Sequence, residues 1–256
     1  MTARARLVLF AVAGLTLGAL LVVAYNGLPA FGHYPGPYGD IITSAVVAER
    51  HATPAVGAIV FDYRGFDTLG EELILLAAAA GVGMLLRRQR EEDEEDAPED
   101  QSEGMRRPAP SDTVRFWGIA LVAPLVVLGA SLAAHGQLTP GGGFQGGVVL
   151  ASALFLIYLA NSEESLDESV PPLLPEPVEG LSALAFIAVA VIGLVRAGAL
   201  LANVFPLGSA GSLLSGGTLP VLNAVVAVEV AAGIFVVVRE ELTQAVQIRD
   251  RWMVEE

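Results

Sequence analysis

Long apolar runs recur along this chain, each closed by arginines, prolines, glycines or acids. Leu7 to Tyr25 is nearly unbroken, and its nineteen residues would rise about 30 Å as a helix, enough to cross a bilayer core. Arg4 and Arg6 precede it, a layout shared by a first membrane anchor and by a cleavable signal peptide, so both readings stand. Asn26 to His51, with Pro29, Pro35 and Pro37, reads as a loop. Thr53 then suits an N-cap, Pro54 a first helical turn and Gly65 the position past a helix end, but Pro54 to Arg64 would reach only about 16 Å. This short helix does not span. Leu69 to Leu86 is the second full-length run, and four more follow: about Phe116 to Ala134, Phe144 to Ala160, Leu181 to Ala202 and Pro220 to Val238.

Charge orders these segments. Arg4, Arg6, Arg87, Arg88, Arg90, Arg106, Arg107, Arg115, Arg239, Arg249 and Arg251 flank the runs on what the positive-inside rule makes the cytoplasmic side. Both termini are therefore expected in the cytoplasm, and an even number of crossings must separate the first two arginine groups. The expected fold is an all-α polytopic membrane protein of about six transmembrane helices, two plus four, with one short non-spanning helix. Its parts are a two-helix module, 1–90; an acidic cytoplasmic linker, 91–112; a four-helix module, 113–241; and an amphipathic tail, 242–256. In the tail Leu242, Ala245, Val246, Ile248, Trp252 and Met253 are spaced as on a short helix lying on the inner surface. No internal repeat links the modules.

Composition agrees and excludes. Hydrophobic residues make up 54% of the chain and the mean hydropathy is +0.60, too apolar for an ordinary soluble domain. The net charge of -14 is concentrated between Glu91 and Glu103, a solvated block that makes nucleic acid an improbable partner. Cysteine is absent, and His33, His51 and His135 lack the paired spacing of a zinc site, so no metal or cofactor is expected; the histidines read as solvent-exposed loop residues. No nucleophile motif or phosphate loop suggests an enzyme acting by itself. Every basic residue is arginine. A buried lysine relay is therefore ruled out.

Three constellations carry candidate chemistry. In the stretch Asp62 to Glu71, Thr68 and Glu71 have the spacing of a capping box; alternatively Asp62, Arg64, Asp67 and Glu71 form a polar contact or ion-path element at a helix mouth. Pro140, Gly141, Gly142, Gly143, Gly146 and Gly147 open a span, where glycines permit a sharp turn and close helix contact. Inside the spans lie Glu229 and Arg196, at depths of about 14 and 9 Å, close enough for a snorkelling arginine to meet the carboxylate. That pair is either a structural salt bridge or part of a proton- or cation-handling site.

The run Pro140-Gly-Gly-Gly-Phe-Gln-Gly-Gly147, followed by an Ala/Leu-rich helix, resembles the signature of the MnhB family, the B subunit of Mrp-type multisubunit Na+/H+ antiporters. The likeness runs from about Asp112 to Glu241 and includes the intramembrane acid at Glu229; an aliphatic residue is commoner in the family where Gln145 stands. The first module, through Asp62 to Glu71, is similar to the C-terminal tail of the antiporter A subunit and to the E subunit of membrane-bound hydrogenases. The order is that of a gene fusion. The resemblance implies an accessory membrane subunit, partnered by other antiporter subunits and the lipid bilayer, in a bacterial or archaeal cytoplasmic membrane. It lacks the large antiporter body with its lysine relay. A membrane arm of a hydrogenase-like or complex I-like redox pump is the alternative; a free-standing channel is weaker, since two deep charges offer little polar pathway.

Overall fold

The computed structural model describes residues 3–28, 37–86, 110–161, 169–171 and 173–254. Among them are eight α-helices and no strand: α1 (Ala3–Asn26), α2 (Tyr38–Arg50), α3 (Ala55–Ala58), α4 (Gly65–Leu86), α5 (Asp112–Ala134), α6 (Gly143–Ala160), α7 (Pro175–Ala197) and α8 (Leu219–Val254). A π-helical turn, Ile59–Tyr63, follows α3. Six helices are long and apolar enough to cross a membrane: α1, α4, α5, α6, α7 and the Leu219–Leu242 part of α8. The chain is an all-α polytopic membrane protein. It divides into two units, Met1–Ile42 with α1 and the start of α2, and Thr43–Glu256 with the remainder.

Within the second unit α8 is the centre. It packs on α4, α5, α6 and α7, and 56% of its span is buried, against 11% for α4. Phe186, Val189 and Ala190 of α7 and Leu219, Leu222, Val226 and Val230 of α8 form the main core. Val46, Ala52, Ala58 and Phe61 close that core at one end of the bundle. This end, called the loop end below, also carries the connections 135–142 and 198–218. Phe155 stacks on Phe235 with ring centroids 5.9 Å apart, fixing α6 on α8 further along.

Several elements depart from expectation. Residues 38–50, read as loop, form α2, with Asp40 in its first turn and Arg50 in its last, each placed to complement the helix dipole. Thr53 is not an N-cap: Pro54 holds that position in α3, and the Thr53 amide donates to the Gln137 carbonyl at 3.0 Å. Gly65 does not end the short helix but begins α4. Thr68 therefore sits within the first turn of α4, and its hydroxyl donates to the Val60 carbonyl across the π-helical turn, so the capping-box geometry with Glu71 does not form. The tail continues α8 as one helix of 36 residues, instead of starting a separate one. The side chains of residues 243–254, most of the acidic linker, His33 and the arginines at 87, 88, 90, 106 and 107 lie outside the described residues.

Candidate functional site

The glycine run builds the joint between α5, α6 and α8. Gly141 and Gly142 take φ of 140° and 133°, left-handed values that bring the chain sharply into α6. The Asn223 side chain of α8 caps the turn, its Oδ1 accepting from the Gly143 amide at 2.8 Å and its amide donating to the Leu219 carbonyl at 2.9 Å. Beyond it, α6 is pressed between two helices. A Cβ on Gly143 would lie 2.6 Å from the Asn223 carbonyl oxygen, and one on Gly147 2.7 Å from that of Ala227, both on α8. On the other side a Cβ on Gly146 would lie 2.7 Å from the Gly129 carbonyl oxygen of α5. Backbones this close leave no room for a side chain. The run is a packing seam, with Pro140 exposed at its outer edge.

The other side of α8 carries acids. Glu229 is fully buried, at 0% exposure, and Glu72 of α4 and Glu179 of α7 are buried at 1% and 3%. Leu75 of α4 and Glu179 of α7 both reach Gly233, one helical turn along α8 from Glu229, so the three acids share one buried region between α4, α7 and α8. Neither oxygen of Glu72 or Glu229, nor Oε1 of Glu179, receives a hydrogen bond from an amide, hydroxyl or basic side chain of the described residues. Gly233 makes the space: a Cβ there would lie 2.7 Å from Glu179 Oε1 and 3.2 Å from Leu75 Cγ. An ionised carboxylate without water costs several kcal/mol. Carboxyls that face one another in an apolar core therefore hold protons or another positive charge.

A polar network at the loop end ties α2 and the π-helical turn to the connection 198–218. Asp62, its side chain only 7% exposed, meets Arg50 Nε at 2.6 Å and accepts from the Asn203 side-chain amide at 2.8 Å. Asn203 also donates to the Gly216 carbonyl and accepts from the Thr218 amide, each at 3.0 Å. The Tyr63 hydroxyl donates to Glu49 at 2.7 Å, under the Arg50 guanidinium 5.0 Å from the ring centre. Burial, then the bond to Glu49 and its charge, push the Tyr63 phenol up to about 12. His51 Nδ1 lies 2.6 Å from the Gly208 carbonyl oxygen and His135 Nδ1 2.8 Å from that of Ser131, so both are half-buried and held by backbone, not free loop residues.

The residues expected at the site are thus divided. Glu229 is central. Arg196 does not meet it: Gly198, at φ 74°, closes α7 after Ala197, leaving Arg196 exposed in the last turn, where water and the helix dipole stabilise the guanidinium. Asp62 is buried in the loop-end network, whereas Arg64 and Asp67 pair with each other at the surface. Glu71 is exposed, and its neighbour Glu72 is the buried acid. Glu72 and Glu179 were missed by pattern reading. Glu72 shares the buried face of α4 with Gly65, Thr68 and Ala79, a spacing that could have revealed it. Glu179 precedes the apolar run that begins at Leu181, although Pro175 and Glu176 form a helix-start signature for α7.

Comparison with known proteins places these features in company. Residues 114–236 match the family model described as a domain related to the MnhB subunit of Na+/H+ antiporter. An uncharacterized protein of Methanocaldococcus jannaschii is 30% identical over 199 residues, covering 70% of this chain and 73% of the relative. A chain of the membrane-bound sulfane sulfur reductase, an archaeal respiratory membrane complex, is similar with a TM-score of 0.69 and 28% identity, over 93% of this chain and 98% of that one. A chain of the Mrp complex from Dietzia sp. DQ12-45-1b shares the fold with a TM-score of 0.70 at 19% identity, over 94% of this chain and 26% of that one.

Proposed function

The chain belongs to the family carrying the MnhB-related domain, and from that membership we propose that it is an accessory subunit of an Mrp-type Na+/H+ antiporter complex, contributing to assembly and to ion translocation. The observation that carries this reading is the buried acid trio, Glu72, Glu179 and Glu229, to which both modules contribute. Neither module holds the whole trio. Fusion in one chain keeps its parts in register. The protein acts through its partners and catalyses no reaction by itself. The positive-inside rule orients both termini to the cytoplasm and the loop end outward.

A second reading has a specific observation behind it. The likeness to the respiratory complex chain is nearly end to end, at 98% of that chain, which favours the same modules working in the membrane arm of a redox-driven ion pump. Purification of the tagged chain from its native membrane in mild detergent separates the two. Antiporter subunits alone are the expected company. Redox subunits would transfer the assignment to the second reading, and a lone monomer would remove both.

A further inference from the structure

We propose that Glu72, Glu229 and Glu179 form a three-station proton relay, and that its cargo is the proton and not a metal cation. The proposal rests on the reading of the chain as an ion-translocating subunit and names the ion that this part of it carries.

Position supports a relay. Leu75 reaches Gly233, so Glu72, a turn before Leu75, lies about level with Glu229, a turn before Gly233, and Glu179, which rests against Gly233, lies roughly 6 Å further along α8. The path thus crosses from Glu72 to Glu229 and then descends to Glu179, with Thr68 a turn nearer the mouth than Glu72 on the same buried face of α4. Each step is a simple transfer. The O–H bond of one carboxylic acid breaks as an O–H bond forms on the next carboxylate, a water molecule accepting one proton and releasing another where the two do not touch, so the negative charge moves one station the other way and nothing is oxidised or reduced.

Charge and ligand geometry select the proton. A hard cation held away from water takes about six oxygen ligands, yet among the described residues no three acidic side chains converge as ligands of one ion. One monovalent ion among three carboxylates would also leave two negative charges uncompensated in an apolar core, whereas protons bind one per carboxyl. Among the described residues, the charges of Glu71 on α4 and Glu176 on α7 also bear on the trio. Both are exposed acids and deepen the need for positive charge.

The test is infrared spectroscopy of the whole native complex in lipid, in H2O and D2O, at a pH where exposed carboxylates are ionised. A deuterium-sensitive band of protonated carboxyl is expected, indifferent to replacement of sodium by choline, and lost or shifted in E72Q and in E229Q. In vesicles carrying the same complex, E229Q should slow proton uptake about a hundredfold, with partial recovery in E229D. Absence of the band in the unaltered complex, or its removal by sodium, overturns the proposal. Subunit composition is read from each preparation. An intact antiporter complex without the band defeats the relay alone, whereas a lone chain that shows the band defeats the subunit assignment alone. Gel filtration of each variant verifies that a lost signal is not lost folding.

Discussion

Helix α8 makes two contacts of opposite character on adjacent faces. Toward α6 it meets Gly143 and Gly147 so closely that backbone touches side chain and backbone. Toward α4 and α7 it presents Glu229, whose carboxyl receives no hydrogen bond from the described residues. Val230 packs on the first face and Glu229 points to the second, about 100° around the helix. Lipid is as apolar as any core, so helices hold together in a membrane by close fit and not by expulsion of water. The glycine seam therefore holds α6 on α8. The acid seam adds no such fit, and its charges work against stability unless compensated.

The strongest way to break this contrast is to fill the tight seam. Gly147→Leu must displace the Ala227 carbonyl or separate the helices, at about 3 kcal/mol or more; loss of monodisperse protein on gel filtration is the expected result, and a fully stable variant would show the seam to be loose. The acid seam should respond differently. E72Q and E229Q should each leave the fold intact, and their effects on thermal stability should depart from additivity by about 1–3 kcal/mol in the double variant, because each acid is the other's neighbour. Simple additivity would separate the two carboxyls.

Smaller effects probe the loop end. Asp62→Ala strips Arg50 and Asn203 of a shared acceptor and should cost about 1–2 kcal/mol, with faster proteolysis between Asn203 and Thr218. The Tyr63 phenol has a folded pKa of about 12, above its unfolded value of about 10. Its contribution to stability is therefore complete below about pH 10 and lost as the pH rises through the folded value. Tyrosinate absorbance that distinguishes the protein from Y63F should accordingly appear only near pH 12; an ordinary titration would show that the bond to Glu49 is open. Arg196→Gln should be nearly silent in stability, within about 0.5 kcal/mol. A large loss there would restore the arginine to the acid seam.

Much of this architecture is legible in the residues. The six spans follow from apolar length alone, and the glycine run announces a close helix contact because no other residue permits it. Helix ends were harder. The apolar run of α7 suggests a helix from Leu181 to Ala202, but Pro175 starts it and Gly198 stops it. That shift brings Glu179 into the bundle and moves Arg196 out to its rim. Likewise Glu71 and Glu72 are equivalent by composition, and only their angular place on α4 distinguishes them. Pairing Glu229 with Arg196 was the natural expectation for a buried charge. It fails because the arginine has water within reach and the third acid does not.

By itself, then, the sequence determined what depends on local and additive quantities: the number of spans, the charge flanks, the absence of lysine and the place of the glycine seam. Tertiary structure alone decided which acids meet. Glu72, Glu179 and Glu229 are separated by more than a hundred and fifty residues from first to last, and each looks like an isolated charge until α4, α7 and α8 are packed together. Apolar length places a helix in the membrane with no regard to its rotation. Rotation is set by the fit of one helix on the next, and it is rotation that turns three separate carboxyls into one site.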